Sequence, residues 1–330
     1  MTKKKITIKD VAKQSGVSIT TVSQILNGKQ QQFHPDTVKK VFQARDDLGY
    51  APDYFARRMI MKKSQTIGII VPDITNPFFA TLVKGIEEVL FKSDFMTILC
   101  NVDTNDDKGI KALEALNHRG VDGLIVASSG VSMSELVKQD ALKNIPVIEL
   151  DRQSTSQTMD SIKTNDYLGG KLVAELLNEM EHHTVVALFP EFPSQNILKR
   201  LEGFTNHFLG QVIHFSTELS KASGKKRVSD ILLTDATAIF AANDEIAFGV
   251  YTGLNDYGKK IPEDYSVVGY DDIEMSSYVF PSLTTVSQPI FELGQKTANT
   301  LIQRIESPEM DETEIILPVK LIKRLSVAHP

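Results

Sequence analysis

The chain has 330 residues, 42% of them apolar, with 36 Lys and Arg against 42 Asp and Glu and one cysteine. That length exceeds one typical domain and the apolar content fills large cores, so two or three globular units are expected and a disordered tail is excluded. A lone Cys100 in the run FMTILC excludes a disulfide framework and reads as a strand thiol buried in a reducing compartment, not as a catalytic group.

No apolar run approaches a signal core or a membrane span, so a soluble cytoplasmic location is expected. The charge is divided unevenly. Residues 1–63 hold 13 Lys and Arg against 5 Asp and Glu, a net +8, and the remainder holds 23 against 37, a net −14. A positive segment on an acidic body suits a nucleic-acid-binding head, because neutralising phosphates releases counterions. A solvated basic tail has the same charge.

In chain order, Thr7-Ile8-Lys9-Asp10 has capping-box spacing with Asp in the acidic position, so a helix starts there. Gly16 is suited to stop it near Ser15. Ser18 caps a second helix, from Ile19 to about Asn27, with Val22, Ile25 and Leu26 on one face. A third runs from Pro35-Asp36 to Leu48, with Gly49 as its stop. The first pair reads as a helix-turn-helix. Small Thr20 and Thr21 let the second helix's N-terminus approach a phosphate or base edge, so Ile19, Thr20 and Gln24 would face bases. After Pro52, Ala56, Met59 and Ile60 share one face of a further short helix.

From Thr66 the chain alternates β-rich runs at 67–71, 96–100, 123–126 and 147–150 with helical stretches near 78–92, 106–118 and 132–143. The pattern resumes with runs at 185–189, 212–215, 238–241 and 266–268, between helices near 167–181, 196–209, 224–233 and 244–257. Two Rossmann-like lobes built on parallel sheets follow. Stretches 158–164 and 283–290 read as crossovers, and 315–327 supplies a final strand or two.

An enzyme is the rival reading of such lobes. No G-x-G-x-x-G follows a strand, no P-loop or nucleophile elbow occurs, and the seven histidines lack metal-ligand spacing. Adjacent acids Asp244-Glu245 and Asp271-Asp272 serve a cap or a strand end as readily as acid–base chemistry. The expectation is therefore no catalytic residue, no metal and no cofactor.

Ligands of open α/β sheets bind at strand carboxyl ends. There the chain places Asn76, Phe78 and Phe79, then Asp151 and Arg152, then Asn243 and Asp271, with Gln288 at the second crossover. Amides, carboxylates and a guanidinium bind adjacent hydroxyls, and rings stack on a sugar's C–H face. Each alone has a structural explanation, as cap, core or ion pair. Together they converge from both lobes on one site.

The segments Thr7-Ile-Lys-Asp-Val-Ala-Lys-Gln-Ser-Gly-Val-Ser, Thr21-Val-Ser-Gln-Ile-Leu-Asn and Leu48-Gly-Tyr-Ala-Pro resemble the DNA-binding head of the LacI/GalR family over residues 6–63. Asn76-Pro-Phe-Phe, Leu150-Asp-Arg-Gln, Leu168-Gly-Gly-Lys, Asn243-Asp-Glu, Gly269-Tyr-Asp and Gln288 resemble the family's periplasmic-binding-protein-like body, most like ribose operon repressors. The resemblance implies an all-α head over 1–50, a hinge helix and linker over 51–64, and an α/β effector-binding and dimerisation domain over 65–330. In that domain lobe 1 takes about 65–161 and 290–307, and lobe 2 about 162–289 and 308–330.

DNA contacts are implied for Thr7, Ser18, Ile19, Thr20, Thr21, Ser23, Gln24, Asn27, Tyr50, Ala56, Arg57 and Met59. Met59 stands where the family's Leu wedges between base steps in the minor groove. Effector contacts are implied for Asn76, Phe78, Phe79, Asp151, Arg152, Thr164, Asn243, Asp271 and Gln288. The implied protein is a homodimeric repressor, not an enzyme, that binds a pseudo-palindromic operator and is released by a sugar such as D-ribose. Where ribose-binding proteins carry a second arginine this chain has Leu198, with Arg200 two residues later. Ser194-Gln195-Asn196 lacks the basic residues of the purine branch, and carboxylates at 151 and 271 disfavour a phosphorylated sugar. A hexose, a purine or a protein corepressor remain as alternative effectors, and a free-standing sugar-binding protein or a sugar-converting enzyme as alternative classes.

Overall fold

The computed structural model describes residues 6–51, 64–103, 105–127, 145–150 and 160–330. The helix expected near 132–143, the hinge helix with Ala56, Arg57 and Met59, and the pair Asp151 and Arg152 lie outside them. The chain divides into two compact units, Met1–Ser64 and Gln65–Pro330.

The head is three helices, α1 (Ile8–Ser15), α2 (Ile19–Leu26) and α3 (Pro35–Leu48). The capping box forms at α1, where the Thr7 N–H and hydroxyl both donate to Asp10 Oδ2, at 2.9 and 2.7 Å. Gly16 ends α1 at φ +71°, a left-handed conformation that glycine adopts without a Cβ clash. The Ser18 hydroxyl accepts from the Thr21 N–H at 3.0 Å and opens α2. Val11, Val22, Ile25, Val41 and Ala44 form the core, and Val17, Leu48 and Tyr50 pack against it.

The body begins with a parallel sheet of order β2-β1-β3-β4, built from β1 (Thr66–Val71), β2 (Met96–Asn101), β3 (Gly123–Val126) and β4 (Val147–Glu149). Its helices include α4 (Pro77–Lys92) and α5 (Asp106–His118). Cys100 is half-buried because β2 is an edge strand, and burial pushes its thiol up.

The second sheet has six strands: β6 (Thr184–Phe189), β7 (Gln211–Ser216), β8 (Ala238–Ala241), β9 (Ser266–Asp271), β10 (Thr284–Ser287) and β12 (Lys320–Ile322), in order β12-β10-β9-β8-β6-β7. Only β12 runs antiparallel to its neighbour. Helices α6 (Asp166–Glu179), α7 (Gln195–Thr205), α8 (Lys221–Ile231) and α9 (Asp244–Asp256) cover this sheet, and α10 (Ile290–Glu306) returns to the first lobe and packs on α4.

Both stretches expected as plain crossovers contain strands. Residues 284–287 are β10, inside the large sheet. Residues Ser161–Thr164 are β5, paired in parallel with β11 (Glu314–Leu317), from Ser161 opposite Glu314 to Thr164 opposite Leu317. Four residues are too short for a period to show in sequence.

The α4–α10 packing depends on Gly85 and Gly294. A Cβ on Gly85 would lie 2.2 Å from the Phe291 carbonyl oxygen, and one on Gly294 2.3 Å from that of Leu82. Gly85→Ala should destabilise the body by about 1–3 kcal/mol through overpacking, read as an earlier unfolding transition in urea.

Candidate functional site

On α2, Val22 and Ile25 face the head's core, so Thr20, Gln24 and Asn27 fall on the opposite side, one helical turn apart. Ile19 is 45% exposed although apolar, with Ser18 and Thr20 exposed beside it. Such a face can offer hydroxyls, an amide and a methyl group to base edges in a major groove. Ser18 and Thr7 are partly committed to their caps, Ser23 accepts from the Asn27 side-chain amide at 3.3 Å, and Tyr50 is half-buried against the head's core.

In the body, Asn76 is the N-cap of α4, its Oδ1 accepting from the Phe78 N–H at 2.9 Å. The loop before it is held by the Ile74 N–H, which donates to Asn101 Oδ1 at 2.7 Å. Phe78 and Phe79 meet edge to face at 5.1 Å and are half-buried. Asn243 likewise caps α9 through the Ile246 N–H at 2.9 Å. In both asparagines the carbonyl oxygen serves the helix, which leaves the amide nitrogen to offer hydrogens.

Thr164, Asp271 and Gln288 are joined in one buried chain of hydrogen bonds. The Gln288 amide donates to Asp271 Oδ1 at 2.7 Å, its Oε1 lies 2.8 Å from the Thr164 hydroxyl, and that hydroxyl lies 2.9 Å from Asp166 Oδ2. The chain continues to Arg200, whose Nη2 and Nε donate to Asp166 Oδ1 at 2.9 and 3.3 Å. Arg200 Nη1 donates to the Ala242 carbonyl beside Asn243, and the guanidinium carbon lies 3.3 Å from the centre of the Tyr270 ring. Asp166 and Arg200 are absent from the residues expected at the site. A signal for Arg200 exists: it falls among Ile197, Gly203 and Phe204 on the apolar face of α7 and is only 3% exposed. A charge at the core position of an amphipathic helix demands a partner.

Burial pushes the Asp271 carboxyl well above the ordinary range, with the charge of Arg200 opposing it and that of Asp244 adding to it. Asp271 also ends β9 at φ +118°, a strained conformation for a residue with a Cβ. The adjacent acids have structural partners. Asp244 accepts from the Ile273 N–H and from the hydroxyls of Ser276 and Thr285, and Asp272 pairs with Arg324 at 2.6 Å. Among the described residues no cluster of three or more His, Cys, Asp or Glu is placed to hold a metal ion, and no helix is long and apolar enough to cross a membrane.

A three-helix reading head and a two-lobed body with a polar chain at its sheet ends define the class of ligand-gated DNA-binding regulators. Residues 7–53 match the family described as bacterial regulatory proteins, lacI family, and residues 64–325 match periplasmic binding proteins and sugar binding domain of LacI family. The chain belongs to the LacI family, whose members are regulators and not enzymes.

Two curated relatives match nearly end to end. The ribose operon repressor of Halalkalibacterium halodurans is 33% identical over 323 residues, 96% of each chain. The HTH-type transcriptional repressor PurR of Aliivibrio fischeri is 31% identical over 333 residues, 98% of each. Among solved structures, a LacI family regulator from Enterococcus faecalis V583 with bound ribose is 48% identical with TM-score 0.76, covering 80% of this chain and 99% of that one. The lac repressor dimer bound to operator and the anti-inducer ONPF is 27% identical with TM-score 0.85, covering 98% of this chain and 100% of that one.

Replacing Arg200 by Ala would leave Asp166 buried without its counter-charge, at a cost of about 3–5 kcal/mol. Adding Asp166→Asn should recover part of that loss, a non-additivity read in a double-mutant cycle of urea unfolding. Asp244 is pushed up to about 6, chiefly by burial, from its ordinary 3.8. The folded state therefore holds a proton that the unfolded chain has released, and this contribution to stability, complete below about pH 4, is lost as pH rises through about 6. Asp244→Asn should flatten that stretch of the stability–pH profile.

Proposed function

We propose that this chain is a cytoplasmic, homodimeric transcriptional repressor whose operator binding is relieved by a pentose sugar, D-ribose first among candidates. The observation that carries the sugar assignment is the chain Asp271–Gln288–Thr164–Asp166–Arg200, at strand ends of the second lobe. It alternates carboxylate, amide, hydroxyl and guanidinium groups, the complement of a polyol whose hydroxyls both donate and accept. A sugar hydroxyl donating to Asp271 would offset the desolvation that holds this carboxyl's affinity for protons high. The likeness to a regulator carrying bound ribose supports the same ligand.

In this reading Asn76, Phe78, Phe79, Asp151, Arg152, Thr164, Asn243, Asp271 and Gln288 form the effector site, with Asp166 and Arg200 beneath it. The head over 1–50 reads the operator through Thr7, Ser18, Ile19, Thr20, Thr21, Ser23, Gln24, Asn27 and Tyr50. The hinge over 51–64 places Ala56, Arg57 and Met59 in the minor groove. The body over 65–330 divides between the lobes at about 161, 289 and 307, and it binds the sugar and dimerises.

The switch is a population shift: ribose prefers a lobe arrangement in which the two hinges of the dimer cannot pair. A hundredfold loss of operator affinity requires about 2.8 kcal/mol of differential ribose affinity between the two arrangements.

A purine, an alternative effector class, is separated from ribose by the same experiment. Gel shifts on pseudo-palindromic promoter DNA, run with ribose, a hexose and a purine, should show binding that ribose alone weakens. Absence of any shift sinks the regulator reading, and a response to the purine alone replaces ribose. Asp271→Ala should abolish the ribose response with operator affinity intact. Gln24→Ala should cost about 1–3 kcal/mol of operator affinity with the ribose response intact.

A further inference from the structure

Arg304, in the last turn of α10, engages every donor of its guanidinium. Nε and Nη2 donate to Asp160 Oδ2 and Oδ1 at 3.0 and 2.9 Å. Nη1 donates to the carbonyls of Pro308, at 3.2 Å, and Met310, and Nη2 also to that of Asp311 at 3.0 Å. Asp160 is buried and accepts in addition from the Thr313 N–H at 3.0 Å. The Arg304–Asp160 pair thus joins the end of α10, the residue before β5, the loop that follows α10 and, through Asp160, the residue before β11.

The position of this knot matters more than its strength. β5 and β11 begin there as a paired ribbon, with the Ser161 N–H donating to the Thr313 carbonyl at 2.9 Å and the Asn165 N–H to that of Leu317 at 3.0 Å. At the far end of β5, roughly 13 Å away at about 3.3 Å per residue, Thr164 enters the polar chain with Asp166 and Gln288. The near end is bound to α10, which the Gly85 and Gly294 contacts seat on the first lobe. The far end leads into α6 and the second lobe. The surface pair Lys163–Glu314 also spans the ribbon, but its exposure leaves it little energy.

We propose that Arg304 is the anchor of the lobe hinge. By holding the near ends of β5 and β11 against the first lobe, it confines lobe rotation to the residues beyond Thr164 and Leu317. A ligand-driven shift at Thr164 then turns the second lobe and is not absorbed by slack at the ribbon's base. This rests on the reading that lobe rotation releases the operator. Arg304 touches no effector and acts as a positioning residue.

The test uses full-length protein with Arg304→Ala, Arg304→Lys and Asp160→Asn. Lysine keeps the charge but not the planar fork, and it carries the test where the alanine variant fails to fold. In ligand-free protein, amide hydrogen exchange at Ser161, Asn165 and Thr313 should accelerate about tenfold or more while β6, β8 and β9 keep their protection. The ratio of operator affinities without and with ribose should fall about threefold or more, with sugar-free operator affinity held within about twofold. Unchanged exchange at the ribbon overturns the anchor, as does an unchanged ratio despite faster exchange. If the unsubstituted protein does not respond to ribose, the sugar reading falls and the anchor is decided by ribbon exchange alone.

Discussion

A guanidinium taken out of water has to be paired, and much of the second lobe is arranged around pairing one. Arg200 lies on the apolar face of α7, is held by Asp166 at the start of α6, and is stacked on Tyr270 of β9. Those contacts fix the spacing of two helices and a strand at the end of the sheet where ligands of open α/β folds bind. They also set the charge there, because Asp271, one residue after Tyr270, is buried with the same guanidinium opposing the cost of its ionisation. The polar chain that reaches Gln288 and Thr164 hangs from this pair. Within it the single hydrogen of the Thr164 hydroxyl stands between two acceptors, Gln288 Oε1 and Asp166 Oδ2, so one of them is left for a donor from outside the set.

That chain also connects chemistry to mechanics. Thr164 and Gln288 belong to segments that pass between the lobes, so groups suited to a polyol's hydroxyls are also parts of the crossings. A ligand that tightens this set acts directly on the ribbon of β5 and β11, whose other end is tied by Arg304 and Asp160. On the proposed reading of this site as the effector's, binding and lobe arrangement share one set of bonds, and no separate relay is needed.

Much of the fold was legible in the sequence. The head is read from local chemistry: the Thr7–Asp10 box, Gly16 and Gly49 in left-handed conformations, and the Ser18 cap all occur where their residue types place them. The strand–helix alternation of the body is legible for the same reason, since buried parallel strands are short apolar runs and covering helices have a period of 3.6. Asp271 was legible as a candidate by its position after a strand, and Gln288 by its place in the second crossover.

What the sequence by itself determined was everything that a residue decides with its near neighbours in the chain: helix starts and stops, strand runs, the charge contrast of head and body, and the family motifs. The tertiary structure alone decided which distant groups meet. It drew Asp166 and Arg200, 34 positions apart, into one ion pair, and Thr164 and Gln288, 124 apart, into one hydrogen bond. It turned two expected crossovers into strands, because β5 and β10 exist only through pairing with β11 and with β9 and β12. The physical reason is the same in each case. A cap or a period is satisfied within a few residues, whereas a buried charge or a four-residue strand is satisfied by partners that only the folded chain brings near.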